Sequence, residues 1–144
     1  MNKDFAKLYD TLERICHEPN YETFEYGGFK CLIKRVAVSG CLNGYVGVPK
    51  DHKFFGKHYD DIEIACHGGL TFSGEWGEQN DGLWYIGFDT SHAWDFMPFM
   101  AMKNHAMLGH TSLIDEESSY KDIHFVRQEI KNIVDQFTPR KRKD

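Results

Sequence analysis

The sequence predicts an α+β fold, one antiparallel sheet packed by amphipathic helices from the two ends of the chain. Three observations carry that expectation. Apolar residues recur at helical spacing near both termini, as Phe5, Leu8, Leu12, Ile15 and Cys16, and again as Ile123, Val126, Ile130, Ile133, Val134 and Phe137. Between them lie short apolar runs cut by glycine, and six of the 13 glycines directly adjoin an aromatic residue, with none in a low-complexity tract. That pattern suits short strands and tight turns better than a helical bundle. No repeat or linker divides the chain, and its 144 residues are enough to bury a core unaided. Residues 1–138 are therefore expected to form a single domain, with 139–144 a disordered basic tail.

The first helix is expected over residues 3 to 17, stopped by Pro19-Asn20. Tyr21 to Tyr26 alternates aromatic and polar residues, and Phe29 to Val38 is a second strand candidate. The Gly27-Gly28 pair between them reads as a two-residue hairpin turn. A third run, Leu42 to Val48, carries Gly44 and Gly47, which signal a bulge or a close approach by another group. Residues 50–61, rich in aromatics yet without periodicity, read as a packed loop able to wall or cover a pocket. Leu70 to Phe72 and Leu83 to Phe88 then form two strands joined by a turn from Ser73 to Gly82. In the segment that follows, Pro98 can open a helix at Phe99 but disfavours one running through it. Met97, Met100, Met102 and Met107 are expected to fill core space. The last helix is expected to start near Ser119, which has capping-box spacing to Asp122, and to end at Pro139.

Charge and composition narrow the partners. The formal charge is −5, and its only basic cluster is the run from Arg140 to Lys143. A polymeric nucleic acid would call for a basic stripe, so none is expected as partner. No apolar run reaches the length of about 18 residues that a membrane span requires, and the first residues lack the apolar core of a secretory signal. A cytoplasmic location is expected, with Cys16, Cys31, Cys41 and Cys66 reduced and mostly buried. Nothing in the sequence fixes the oligomeric state, and a homo-oligomer is compatible with it.

Chemistry concentrates between Ala65 and Asp95. If the fourth and fifth strands pair as a hairpin, His67-Gly68-Gly69 and Asp89-Thr90-Ser91-His92-Ala93-Trp94-Asp95 meet at one edge of the sheet. Two glycines can turn their amides toward an anion, and an adjacent imidazole can move a proton. His67, Asp89, His92 and Asp95 are the candidate catalytic residues. Carboxylate and imidazole together also suit a divalent metal, Mg or Mn no less than Zn, although neither HExxH nor paired CxxC is present. Tyr45, His52, Tyr59, Gly68, Gly69, Thr71 and Trp94 are the candidate ligand-binding residues, the aromatics among them able to stack on a base or sugar. Cys66 and His67 are strand neighbours that point apart, which disfavours a Cys–His catalytic pair. No G-x-S-x-G or P-loop motif occurs.

The ordered blocks GYVGVP, HGGLTFSG and W-Y-I-GFDTSHAWD, from Gly44 to Asp95, resemble a family of small phage and prophage proteins. Typical members read GYVGVP, HGGLTYSG and W.GFDCAHAGD; here Thr90-Ser91 stands in place of Cys-Ala, and Trp94 in place of Gly. The resemblance implies a viral or mobile-element context, in which small proteins counter nucleotide-signal defences of the bacterial host. It and the residues together lead to one expectation: a small hydrolase that cleaves a phosphodiester in a soluble, cyclic or linear nucleotide. The rival expectations are a nucleotide sponge without turnover, and a protein–protein antagonist that uses the aromatic loop at 50–61.

Overall fold

In a computed structural model, residues 3–108 and 118–138 are described. The expected tail at 139–144 lies outside them. Helix α1 (Lys3–Cys16) leads into strands β1 (Tyr21–Tyr26), β2 (Phe29–Arg35) and β3 (Leu42–Val48). Strands β4 (Phe72–Glu75) and β5 (Trp84–Phe88) follow, then helices α2 (Pro98–Leu108) and α3 (Ile123–Asp135). The sheet order is β1-β2-β3-β5-β4, every pairing antiparallel. The fold is thus the expected α+β domain with a helix from each end. No helix among the described residues is long and apolar enough to cross a membrane.

Alternation along the strands assigns the two faces. Cys31, Ile33, Leu42, Val46, Ile86 and Phe88 point to one side, where they meet Ile123, Val126, Ile130, Ile133 and Val134 of α3 in the main core. Fully burying side chains of this size stabilises by about 1.5–3 kcal/mol each. The other face carries Leu32, Tyr45 and Tyr85, and residues 76–82 fold over part of it through the Lys30–Asp81 ion pair and the Gln79–Tyr21 hydrogen bond.

Where the structure departs from sequence expectation, local hydrogen bonding explains it. Strand β4 begins at Phe72 rather than Leu70, because the left-handed turn at Gly68 and Gly69 delays pairing until Thr71 donates to Gly87. Helix α3 is capped by Asp122, whose carboxylate accepts from the Phe125 amide, not by Ser119. Ser119 instead pairs with the Trp94–Phe96 backbone. Of the methionines expected to fill core space, Met100, Met102 and Met107 are exposed and only Met97 is half-buried.

A buried polar knot fixes how α1, β2 and α3 meet. Arg35, its side chain 4% exposed, pairs with Glu18 and donates to the Gly40 carbonyl and the Tyr120 hydroxyl. Glu18 accepts in turn from the Ile123 amide at the start of α3. With its donors and acceptors matched, this knot holds residues 118–123 in one place, and that segment reaches the site.

Candidate active site

The hairpin of β4 and β5 brings His67 and Asp95 together although they are 28 positions apart. Both lie at the end of the sheet where β5 finishes, beside the first turns of α3. The chain from Ile62 to His67 runs along α3 rather than along a strand. Gln136 there donates to the Ala65 carbonyl and accepts from the Ala65 amide, and Glu129 accepts from the His67 amide at 2.7 Å. On the opposite side, Thr90 is buried and its hydroxyl donates to the Leu42 carbonyl, anchoring the turn that follows β5. Asp89 accepts from the Ser91 amide, the side-chain-to-backbone bond that aspartate favours in turns.

Asp95 is the centre of the cluster. Its side chain is 0% exposed and accepts from four donors. These are His67 Nε2 at 2.9 Å, His92 Nδ1 at 2.9 Å, the His92 amide at 3.1 Å and Lys121 Nζ at 3.2 Å. Burial alone would raise the Asp95 carboxyl; the bonds from His67, His92 and Lys121 outweigh it and hold the group below its ordinary value. It is therefore a fixed anion at neutral pH. Both imidazoles turn one N–H inward to it, which fixes their tautomers. The outer nitrogen of His92 lies 3.5 Å from Asp89, while that of His67 has no hydrogen-bond partner among the described residues.

Aromatic and glycine contacts fix the rings. Trp94, 54% exposed, stacks on His92 with centroids 4.9 Å apart and planes within 6°. Phe125 meets His67 edge to face at 5.1 Å. Gly68, at φ +68°, lies so close to His92 that an added Cβ would stand 2.1 Å from the ring. Gly69, at φ +82°, faces open space. Both Gly68→Ala and Gly69→Ala should lose about 1–2 kcal/mol from left-handed backbone strain. Only Gly68→Ala should also displace His92, seen as shifted His92 ring resonances by NMR. Equal spectra for the two variants would show that the close approach does not set the ring.

Several expected residues lie elsewhere or act differently. His52 packs on Phe137, just past the far end of α3, whose Asp135 is about 15 Å along the helix from Phe125 at 1.5 Å per residue. Tyr59 belongs to the same far loop, whose Lys57 carbonyl accepts from Trp84. The 50–61 loop therefore does not cover the His67 cluster. Tyr45 points to the sheet face away from α3, its ring against Phe72 and Trp76. The glycine pair is not a nest of two free amides, since the Gly69 amide closes a turn on the Cys66 carbonyl. Thr71 is exposed at the edge, close after Gly69. The cysteines are unpaired, with Cys31 and Cys41 buried, Cys66 half-buried and Cys16 exposed. Burial, assisted by the Glu129 carboxylate, pushes the Cys66 thiol up to about 12, so it carries almost no thiolate at neutral pH.

Lys121, Glu129 and Phe125 are the site residues that sequence reasoning missed. The helical stripe of α3 pointed to its core face and gave no sign that its first turn borders a site.

Chemically the cluster offers two uses. His67, His92 and Asp95 place their ligand-type atoms within 4.8 Å of one another, the two-histidine, one-carboxylate set that divalent transition metals accept. Against that use stands Lys121, whose ammonium already occupies the Asp95 carboxylate and would repel a second cation. The other use is proton transfer by two imidazoles oriented on a shared anion, and the hydrogen bonds favour it. No family model matches the chain, and no curated protein or solved structure is significantly similar to it.

Proposed function

We propose that the chain is a small metal-independent hydrolase that cleaves a phosphodiester in a soluble nucleotide, with His67 and His92 as the proton-transfer pair. The observation that supports this reading is the buried Asp95, which orients both imidazoles and leaves the outer nitrogen of His67 without a partner among the described residues. Carboxylate-oriented imidazoles are common general acids and bases. His67, with its outer nitrogen unengaged, takes the proton from an attacking water. The water oxygen then bonds to phosphorus as the P–O bond to the leaving group breaks. His92 has an acceptor at each ring nitrogen, Asp95 and Asp89, and so accommodates the second N–H of an imidazolium. That form gives its proton to the departing oxygen. The Gly68 amide, which has no backbone acceptor among the described residues, would be the backbone donor to the phosphate, and the exposed face of Trp94 is available for a base. The resemblance to phage proteins adds the setting, in which the nucleotide is a cyclic signal of host defence.

The test is incubation with a panel of cyclic and linear nucleotides, with and without chelator, followed by heat denaturation and chromatography. Chelator-insensitive products are expected. Intact nucleotide released by heating would replace the enzyme with a sponge, and failure to retain any nucleotide would favour a protein antagonist. Loss of turnover on chelation would restore the metal.

A further inference from the structure

We infer that Lys121 stands in for a metal ion at the His67 cluster and is the residue that keeps the cluster free of one. This deepens the metal-independent reading of the same site, and it rests on how the ammonium is seated. His67 Nε2 lies 2.9 Å from both oxygens of Asp95, and His92 Nδ1 lies 2.9 Å from Oδ2. The two imidazoles therefore meet at Oδ2. A divalent ion held by the three side chains would sit among these atoms, which already stand within 4.8 Å of one another. Lys121 Nζ bonds the other oxygen, Oδ1, at 3.2 Å. Its three N–H groups have three acceptors: Asp95 Oδ1, the Ser119 carbonyl at 3.1 Å and the Ser119 hydroxyl. The backbone builds this seat around the anion itself. The Ser119 amide donates to the Trp94 carbonyl and the Ser119 carbonyl accepts from the Phe96 amide, so Ser119 clasps the chain on either side of Asp95.

Charge and protons then decide between the two cations. Asp95 carries one negative charge, and Lys121 already balances it. A divalent ion on Oδ2 would face the ammonium across a single carboxylate whose side chain is fully buried, where water screens little. It would also have to expel both inward N–H protons, because an imidazole nitrogen binds a metal only when bare. Lys121 makes neither demand. It neutralises the buried carboxylate and leaves both N–H groups on it, so the rings keep the orientation that proton transfer uses. Without the lysine, the same two imidazoles and one carboxylate are a three-ligand set with further positions open, the arrangement found in catalytic metal sites.

The experiment is titration of the full chain with Co²⁺ at neutral pH, followed by the visible absorption of the bound ion. The parent should show no saturable bands. Lys121→Met, apolar and of similar length, should bind one equivalent at least about a hundredfold more tightly than the parent, as removal of a full charge so near the ion implies. Adding His67→Ala to that variant should abolish the bands. Because loss of the ammonium leaves a buried carboxylate short of a partner, Lys121→Met can also unfold the chain. Lys121→Gln is therefore the second variant: it keeps an N–H donor for Asp95 without the charge, and it should gain Co²⁺ in the same way. Thermal melting establishes that each variant is folded. Saturable binding by the parent that His67→Ala removes, no gain in a folded variant, or binding that survives His67→Ala would each overturn the proposal. The optical readout needs no nucleotide. A chain that cleaves no nucleotide would thus end the hydrolase reading and leave this result standing, whereas parental Co²⁺ bands would end the role of Lys121 whatever the turnover.

Discussion

Asp95→Asn should destabilise the protein by about 3–5 kcal/mol, the cost of removing one partner from a buried charged group. The substitution keeps the volume but halves the acceptors. An amide oxygen cannot serve His67 Nε2, His92 Nδ1, the His92 amide and Lys121 together, and the new amide N–H groups would face existing donors. At roughly 3 °C per kcal/mol for a chain of this size, the melting temperature should fall by about 10–15 °C. A variant that melts like the parent would mean that the cluster is not organised about this carboxylate.

The same residue sets an acid limit on stability. Its folded-state value is depressed relative to the ordinary aspartate value near about 3.9. A depressed carboxyl contributes stability that is fully present above its unfolded value and is lost as pH falls through the folded one. Acidification below about pH 4 should therefore lower the melting temperature of the parent more steeply than that of Asp95→Asn. Parallel acid curves would assign the depression to other groups.

How much of this was legible beforehand depends on the range of the interaction. The β4–β5 hairpin follows from alternation and glycine, and it alone puts His67 near Asp95, so the core of the site could be read from local pattern. The relation of Lys121 and Glu129 to that edge could not. It depends on the path of α3 across the sheet, which the buried knot of Arg35, Glu18 and Tyr120 fixes by joining the end of β2 to the segments that follow α1 and precede α3. No periodicity in the sequence encodes such a meeting. The aromatic loop at 50–61 misled for a related reason. Its composition announced packing, and it does pack, but against Phe137 and Trp84 at the other end of the helix. Gly68 shows the same limit on a smaller scale. Its freedom of backbone was evident, whereas its use, to clear space for the His92 ring, required the tertiary contact.

His67→Gln should separate proton transfer from architecture more cleanly than any truncation. A glutamine amide N–H can still donate to Asp95, and the three other donors on that carboxylate remain. The melting temperature should thus stay near that of the parent. His67→Ala, which deletes a hydrogen bond to a charged group, should cost about 1.5–3 kcal/mol. Neither side chain can take a proton from water at neutral pH. If His67 is the base, both variants should lose about 10²- to 10⁴-fold in nucleotide turnover, the usual contribution of a positioned acid or base. Nucleotide affinity should change far less, because Trp94 and the Gly68 amide are untouched. In a sponge the order reverses: affinity would weaken by about 1–3 kcal/mol with no turnover to lose. The decisive pair of measurements is melting and turnover on His67→Gln. A well-folded glutamine variant with parental turnover would remove His67 from the chemistry and leave it only the role of holding Asp95.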